Sequence, residues 1–331
     1  MKHFFLLLIL ALSISSCKKH KVSDSWVVSD SRLHNFFDTS TEVEVLGEGY
    51  NWSEGPVWVP SIESLLFSDV PENKIYKWKE GKAPITYLDS SGYTSEVGRP
   101  GESGSNGLAL DATNNLILCQ HGDRRVARMD GSVARPESKF ETLADNYQGK
   151  KFNSPNDLCI ANDGKIFFTD PPYGLTSEEA REIDFHGVYR VNPNGNVTLL
   201  IDSLTRPNGI ALSIDGKVLY VANSDPQKAA WYAYQLDENK NIISGGLLVD
   251  VTSLVDDLPG LPDGMKVHSS GLLLATGPGG VHIINPSGEI LGRIDTKKHT
   301  SNCALDDNES YLYMTADDQL LRIPLRIAPE S

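Results

Sequence analysis

Basic residues are scarce: 30 Lys and Arg stand against 44 Asp and Glu in 331 residues, a formal net charge of −14. No Lys/Arg-rich stretch supplies a local basic footprint, which excludes nucleic acid as a partner. Apolar runs long enough to span a bilayer are lacking as well. The run from Phe4 to Leu12 falls short of the roughly 20 residues a spanning helix needs. Cysteine is equally sparse. Beyond Cys17 there are Cys119, Cys159 and Cys303, an odd count with no zinc-site spacing, so these read as core thiols and not as a disulfide framework. There is no Gly-x-Ser-x-Gly elbow, no His-Glu-x-x-His and no phosphate-binding Gly-rich loop, which argues against a serine hydrolase or a nucleotide enzyme.

What is present begins with a leader. Met1-Lys2-His3, the apolar run and the small residues Ser13-Ile14-Ser15-Ser16 before Cys17 have the form of a secretory signal peptide. Ile14-Ser15-Ser16-Cys17 also resembles the bacterial lipobox, in which the Cys becomes the lipidated first residue. The expected organisation is a signal peptide over 1–16, lipidated Cys17, a polar tether over 17–41, and one domain over 42–331. Losing Lys2 with the leader leaves the mature chain near −15. The expected location is the cell envelope, with the lipid as the only membrane contact and no obligate protein partner. Without lipidation the protein is expected to be secreted or periplasmic.

An internal repeat sets the fold class. A polar, oxygen-bearing residue, usually followed by Gly, opens a short apolar strand, a turn and a second apolar strand. The copies begin Glu54-Gly-Pro-Val-Trp58, Asn106-Gly-Leu-Ala-Leu110, Asn156-Asp-Leu-Cys-Ile160, Asn208-Gly-Ile-Ala-Leu212, Asp263-Gly-Met-Lys-Val267 and Asn302-Cys-Ala-Leu-Asp306. Third strands follow, and fourth strands fit most intervals. Six four-stranded antiparallel units at this spacing predict an all-β, six-bladed β-propeller without helices of any length. The last copy has room for only three strands, so Glu42–Leu46 is expected to supply the fourth and close the ring.

In such a fold the first strand of each blade lines the central channel, and the six opening residues converge at one mouth. By strand parity the connections between second and third strands surround them. Those connections carry Asp69, His121, Asp170 to Tyr173, Asp225, Thr276 and Asp317, and the long segment from Pro171 to His186 could form a lid. A ring of carboxylate and amide oxygens suits a hard cation such as Ca2+ better than zinc. Mg2+, Mn2+ or Zn2+ also occupy such rings. One alternative remains open here: Asn-Gly and Asp-Gly simply turn the chain into each inner strand. That alternative explains Glu54 poorly, since Glu is not a turn former.

The same residues resemble the senescence-marker-protein/gluconolactonase/luciferin-regenerating-enzyme family, most closely its bacterial gluconolactonase branch. The matching stretches include Leu66-Phe67-Ser68-Asp69, Gln120-His121-Gly122-Asp123-Arg124, Phe152-Asn153-Ser154-Pro155-Asn156-Asp157 and Phe168-Thr169-Asp170-Pro171-Pro172-Tyr173-Gly174. Arg206-Pro207-Asn208-Gly209, Pro262-Asp263-Gly264-Met265 and Ser301-Asn302-Cys303-Ala304 complete a series covering about residues 43 to 327. The resemblance implies a divalent cation, usually Ca2+, held by Glu54, Asn208 and Asp263 and in some members Asn156. Asp263 is also implied as proton donor and acceptor, and Asn156 as a substrate contact. Animal members carry an Arg where this chain has Ser154, so substrate preference does not transfer.

The expected reaction is hydrolysis of a sugar lactone to its aldonic acid. The metal polarises the carbonyl and Asp263 acts as general base and then acid. Asn106 and Asn156 are expected to orient substrate, His121 to bind a substrate hydroxyl or relay a proton unless it is structural, and Asp170 and Tyr173 to stand in the pocket wall. Two rivals stand beside this reading: a metal-dependent hydrolase of other esters or organophosphates, and a non-catalytic glycan- or protein-binding propeller.

Overall fold

A computed structural model describes residues 21–177 and 180–325. The leader, Cys17 and the first residues of the tether lie outside the described residues. The channel is formed by the first strands of the six blades, Ser53–Val59, Ser105–Leu110, Leu158–Ile160, Pro207–Leu212, Met265–Val267 and Thr300–Leu305. Each hydrogen-bonds outward to second, third and fourth strands in antiparallel order. First strands of neighbouring blades pack against one another around the ring. This is the expected six-bladed propeller.

The strand sequences follow from the packing. A second strand sits in mid-blade with another blade on either face, so both of its faces are dry. Ser64–Asp69, Leu116–Gln120, Ile166–Asp170 and Leu273–Gly277 are accordingly buried along their whole length. They read as continuous apolar runs without the alternation of a half-exposed strand. One apolar cluster fills each interface between adjacent blades, such as Leu66, Ile75, Leu108 and Leu118 between the first and second. Others are Phe168, Tyr189 and Ile117 between the second and third, and Leu65, Phe67 and Tyr313 where the sixth meets the first.

The ring closes as expected. Val43–Glu48 pairs antiparallel with Gln319–Pro324, with Glu44 opposite Arg322 and Glu48 opposite Gln319. Arg322 is buried, donates to Glu44 at 2.9 Å and also bonds Glu80 of the first blade, and its guanidinium lies over the Tyr311 ring.

The tether expectation needs correction over residues 21–41. Lys21–Val22 extends the sixth blade as a fifth strand beside Val43–Glu48. Trp26–Val28 does the same for the fifth blade against Ile290–Asp295. After them a 3-10 turn, Ser31–Asn35, drives Leu33 into the interface of those blades, and Phe37 follows, stacked on Trp26. Apolar side chains spaced through this polar stretch cannot remain in water when a dry interface is adjacent. The segment belongs to the propeller.

Candidate active site and metal centre

The residues opening the copies do not sit in turns. Asn106-Gly107 and Asn208-Gly209 lie inside their strands, and the pairing register slips there: between Ser105 and Leu108, between Pro207 and Ile210, and likewise between Glu54 and Val57. A bulge re-aims a side chain that regular pleating would bury between blades; here it turns Glu54, Asn106 and Asn208 into the channel. Asn156 and Asp263 reach the same place from just before their strands. The glycine after each opening residue is a matter of space. A Cβ on Gly209 would lie 2.0 Å from the Asp263 carbonyl oxygen, and one on Gly264 would lie 1.9 Å from Asn302 Cγ. The turn alternative therefore fails: Gly allows inner strands to approach closely around the ring.

Hydroxyls from second strands hold this arrangement from behind. Ser68 Oγ donates to the Asn106 carbonyl at 2.9 Å and Thr169 Oγ1 to the Asn208 carbonyl at 2.6 Å. Thr276 Oγ1 bonds the Gly264 and Ser301 carbonyls at 2.9 and 3.0 Å. The first, third and fifth blades thus fix the inner strand of the next.

A cavity of about 220 Å3 opens at the mouth, lined by Glu54, Asn106, Asn156, Asn208 and Asp263 together with Trp52, Glu102, Tyr173, Ser224, Leu261 and His299, among others. Asn106 Oδ1, Asn156 Oδ1, Asn208 Oδ1 and Asp263 Oδ1 are all buried without a hydrogen-bond partner among the described residues. An unsatisfied buried acceptor costs about 1–3 kcal/mol, so four at one point indicate a site built for a positively polarised guest. Asn208 is oriented by donating from Nδ2 to Ser224 Oγ at 3.0 Å. Glu54 is buried and accepts from the Gly55 N–H at 2.9 Å.

The electrostatics agree. Among the described residues no Lys or Arg lines the cavity. Burial pushes Glu54 and Asp263 well above the usual carboxylate range; the charges of Asp157 and Glu102 add to both rises, and that of Glu54 adds to the rise of Asp263. Burial likewise raises Asp157. A bound cation would relieve this repulsion. Among the described residues no group of three or more His, Cys, Asp or Glu gathers at metal-binding geometry, because most of the converging oxygens are amides. Hard, oxygen-rich and carboxylate-poor, the donor set fits Ca2+ and does not fit a zinc centre. Glu54, Asn156, Asn208 and Asp263 are the residues that would hold it, with Asn106 alongside.

The structure places the remaining expected site residues unevenly. Tyr173 lines the cavity, and burial raises its phenol strongly. Asp170 does not: it is fully buried, its Oδ2 accepts the Asn153 N–H at 2.8 Å, and burial lifts its carboxyl to about 7. The first and fourth blades repeat this device. Asp69 accepts from the Asn51 and Trp52 N–H groups and Asn223 from that of Arg206, each bracing the loop before a first strand. His121 is also fully buried, outside the cavity wall, with both ring nitrogens unpartnered and its pKa lowered to about 3 by burial and the nearby Arg99. Asp170 is corrected from the pocket wall, and His121 from direct contact with substrate, to positions behind the cavity lining. Ser154 donates from Oγ to the Pro171 carbonyl at 2.6 Å and accepts from the Gly174 N–H at 2.9 Å, pinning the turn that carries Tyr173.

The segment expected as a lid contributes mainly that turn. Farther along, Ile183 and Phe185 pack into the apolar interface of the second and third blades. Glu102, on the strap joining the first and second blades, covers the mouth instead. Sequence reasoning missed it because the linking segments have no counterpart in the repeat.

Residues 52–318 match the profile of the SMP-30/Gluconolactonase/LRE-like region. A gluconolactonase of Zymomonas mobilis is 39% identical over 301 residues, 88% of this chain and 83% of that protein. The solved structure of a gluconolactonase from Xanthomonas campestris superposes with a TM-score of 0.79 at 30% identity, covering 92% of this chain and 95% of that one. A regucalcin from Agrobacterium tumefaciens, described as a calcium-binding protein, superposes with a TM-score of 0.67 over 86% of this chain and 94% of that one. At 16% identity this likeness shows the fold alone.

Proposed function

The chain belongs to the SMP-30/gluconolactonase/LRE-like family, and from that premise we propose that it is a lactone-hydrolysing carboxylic-ester hydrolase that converts a sugar lactone to its aldonic acid in a divalent-cation-dependent reaction. One observation carries the reading: four buried, unpartnered side-chain oxygens, from Asn106, Asn156, Asn208 and Asp263, face one cavity beside Glu54. The gluconolactonase relative supports the reaction class. Calcium is proposed from the chemistry of these donors.

A cation bound there supplies Lewis-acid polarisation of the lactone carbonyl. The protein does the rest. Asp263 Oδ1 has no hydrogen-bond partner among the described residues and Asp263 lines the cavity, so its carboxylate can meet the attacking water there. It takes the proton as that water adds to the carbonyl carbon, then returns it to the ring oxygen as the ester C–O bond breaks. Asn106 and Asn156, fixed by their blades, present amides to substrate oxygens. Tyr173 and Trp52 wall the cavity and limit water at the reacting carbon.

The test is proton release from a panel of aldonolactones by residues 21–331, with Ca2+, after EDTA, and in Asp263→Asn. Turnover lost under both EDTA and substitution, with the fold retained, is expected. Folded, Ca2+-loaded protein inactive on every lactone would overturn the reading, and esters and organophosphates in the same panel separate the rival hydrolase.

Residues 1–16 are further proposed as a cleaved signal and Cys17 as a lipid anchor to the cell envelope. Fatty-acid labelling of the expressed chain, abolished by Cys17→Ala, is the expected result.

A further inference from the structure

Glu102 is neither a member of the oxygen ring nor part of the repeat, yet it lines the cavity. It rides on the strap between strand Ile85–Asp89 of the first blade and strand Ser105–Leu110 of the second. This strap is tied down along its length. The Gly92 and Tyr93 N–H groups bond Asn73 Oδ1 at 2.8 and 3.1 Å, and Thr94 Oγ1 bonds Asp123 Oδ2 at 2.7 Å. Arg99 donates to the Gly174 carbonyl, on the turn that carries Tyr173, and the Gly104 N–H bonds the Val70 carbonyl at 2.8 Å. Between these anchors Glu102 is held over the mouth with 40% of its side chain exposed, and burial of the remainder raises its carboxyl to about 7.

Behind it stands His121. Both of its ring nitrogens are buried and have no hydrogen-bond partner among the described residues, which calls for an explanation in a buried polar side chain. Nδ1 lies 3.7 Å from Glu102 Oε2, just outside hydrogen-bond reach. Catalytic-site hydrogen bonds that are long in a free protein commonly tighten when substrate binds. A small inward movement of the strap would let the neutral imidazole donate to Glu102 and leave the second carboxylate oxygen facing the cavity. A carboxylate oxygen is an acceptor, and the feature of a sugar lactone that an acceptor recognises is a hydroxyl.

Resting on the lactonase reading, we propose that Glu102 is a specificity-determining residue that accepts a hydrogen bond from one ring hydroxyl of the substrate, and that His121 is the positioning residue that holds it. This assigns to the strap the polar contact for which Ser154, committed to the Pro171 and Gly174 backbone, is not free.

The experiment compares wild type and Glu102→Ala on glucono-δ-lactone and its monodeoxy analogues, with Glu102→Gln, whose amide oxygen still accepts, as a second variant expected to lose less, and Ca2+ affinity and circular dichroism measured for each. On the full lactone, kcat/KM is expected to fall about 10- to 100-fold, mainly through KM, as suits loss of a hydrogen bond to a charged group. On one monodeoxy analogue, variant and wild type are expected to coincide within about threefold, because the partner hydroxyl is already gone. His121→Phe should reproduce the pattern and His121→Gln should recover part of it. An equal loss on every analogue, no loss at all, or a parallel fall in Ca2+ affinity would overturn the assignment. Wild-type protein inactive on every lactone would instead sink the lactonase reading and this inference with it.

Discussion

Asn302 bridges from beneath the ring to Glu54: its amide nitrogen lies 3.4 Å from Glu54 Oε2 and 3.4 Å from Asp157 Oδ2, while its own Oδ1 accepts the Cys303 N–H at 2.8 Å. The amide thus opposes two buried carboxylates with one donor group, and its oxygen is engaged by the Cys303 N–H. Asn302 therefore positions Glu54, whereas Asn106, Asn156 and Asn208 present free oxygens.

Asn302→Leu keeps the volume and removes the donor. Loss of a partner that orients a metal ligand commonly costs 10- to 100-fold in affinity. Calorimetric titration of EDTA-stripped protein with Ca2+ should show a loss of about tenfold or more, with an unchanged far-ultraviolet spectrum. Unaltered affinity would show that Glu54 does not depend on this contact.

The ring's geometry depends equally on absent side chains. Gly209→Ala would place a Cβ 2.0 Å from the Asp263 carbonyl oxygen, a backbone atom that cannot rotate away. The fourth and fifth blades would have to separate there. Overpacking of this kind costs about 1–3 kcal/mol or more, and Ca2+ affinity should fall with thermal stability because Asn208 and Asp263 would both move. Gly246→Ala is the control: nothing lies within 4 Å of its Cβ position, so the melting temperature should scarcely change.

Most of the fold was legible because a propeller repeats one solution. The wholly apolar second strands, their turns and the polar residue opening each copy recur with little alteration, and even closure by residues near 42–46 follows from a strand missing at the end. The site was legible where it belongs to the repeat, as with Glu54, Asn106, Asn156, Asn208 and Asp263. It was misread at Asp170 and His121, because parity locates a strand's end but not the direction in which its side chain turns. At Asp170 the loop before the first strand claims the carboxylate. Glu102 could not be reached by the repeat at all. Residues 21–41 did carry a signal: Trp26, Leu33, Phe36 and Phe37 are poor material for a solvated tether.

That segment yields the next prediction. Leu33 and Phe37 are 0% and 1% exposed in the interface of the fifth and sixth blades, and Phe37 also meets His268 edge-on with ring centroids 5.3 Å apart. Truncating either to Ala should cost about 2–5 kcal/mol in denaturant unfolding. Protein starting at residue 21 should melt like the full chain, and protein starting at residue 42 should melt well below it. Equal melting of the two truncated forms would restore the tether.

Asp170 supplies a test in pH. Its carboxyl rises to about 7 in the folded protein because burial penalises the charge more than the Asn153 N–H compensates, whereas an unfolded Asp titrates near 4. Between these values the folded chain holds a proton that the unfolded chain has released. Stability from this group is therefore fully present below about pH 4, is lost as pH rises toward 7, and changes no further above it. Asp170→Asn keeps an acceptor for the Asn153 N–H and cannot titrate. The difference in unfolding free energy between pH 5 and pH 8, measured by urea titration in EDTA, should shrink by about 2 kcal/mol in the variant relative to wild type. Asp170 is outside the cavity wall, so lactone turnover at neutral pH should survive the substitution. Loss of turnover with an unchanged pH slope would return Asp170 to the substrate pocket and overturn its assignment as the brace of the Asn153 loop.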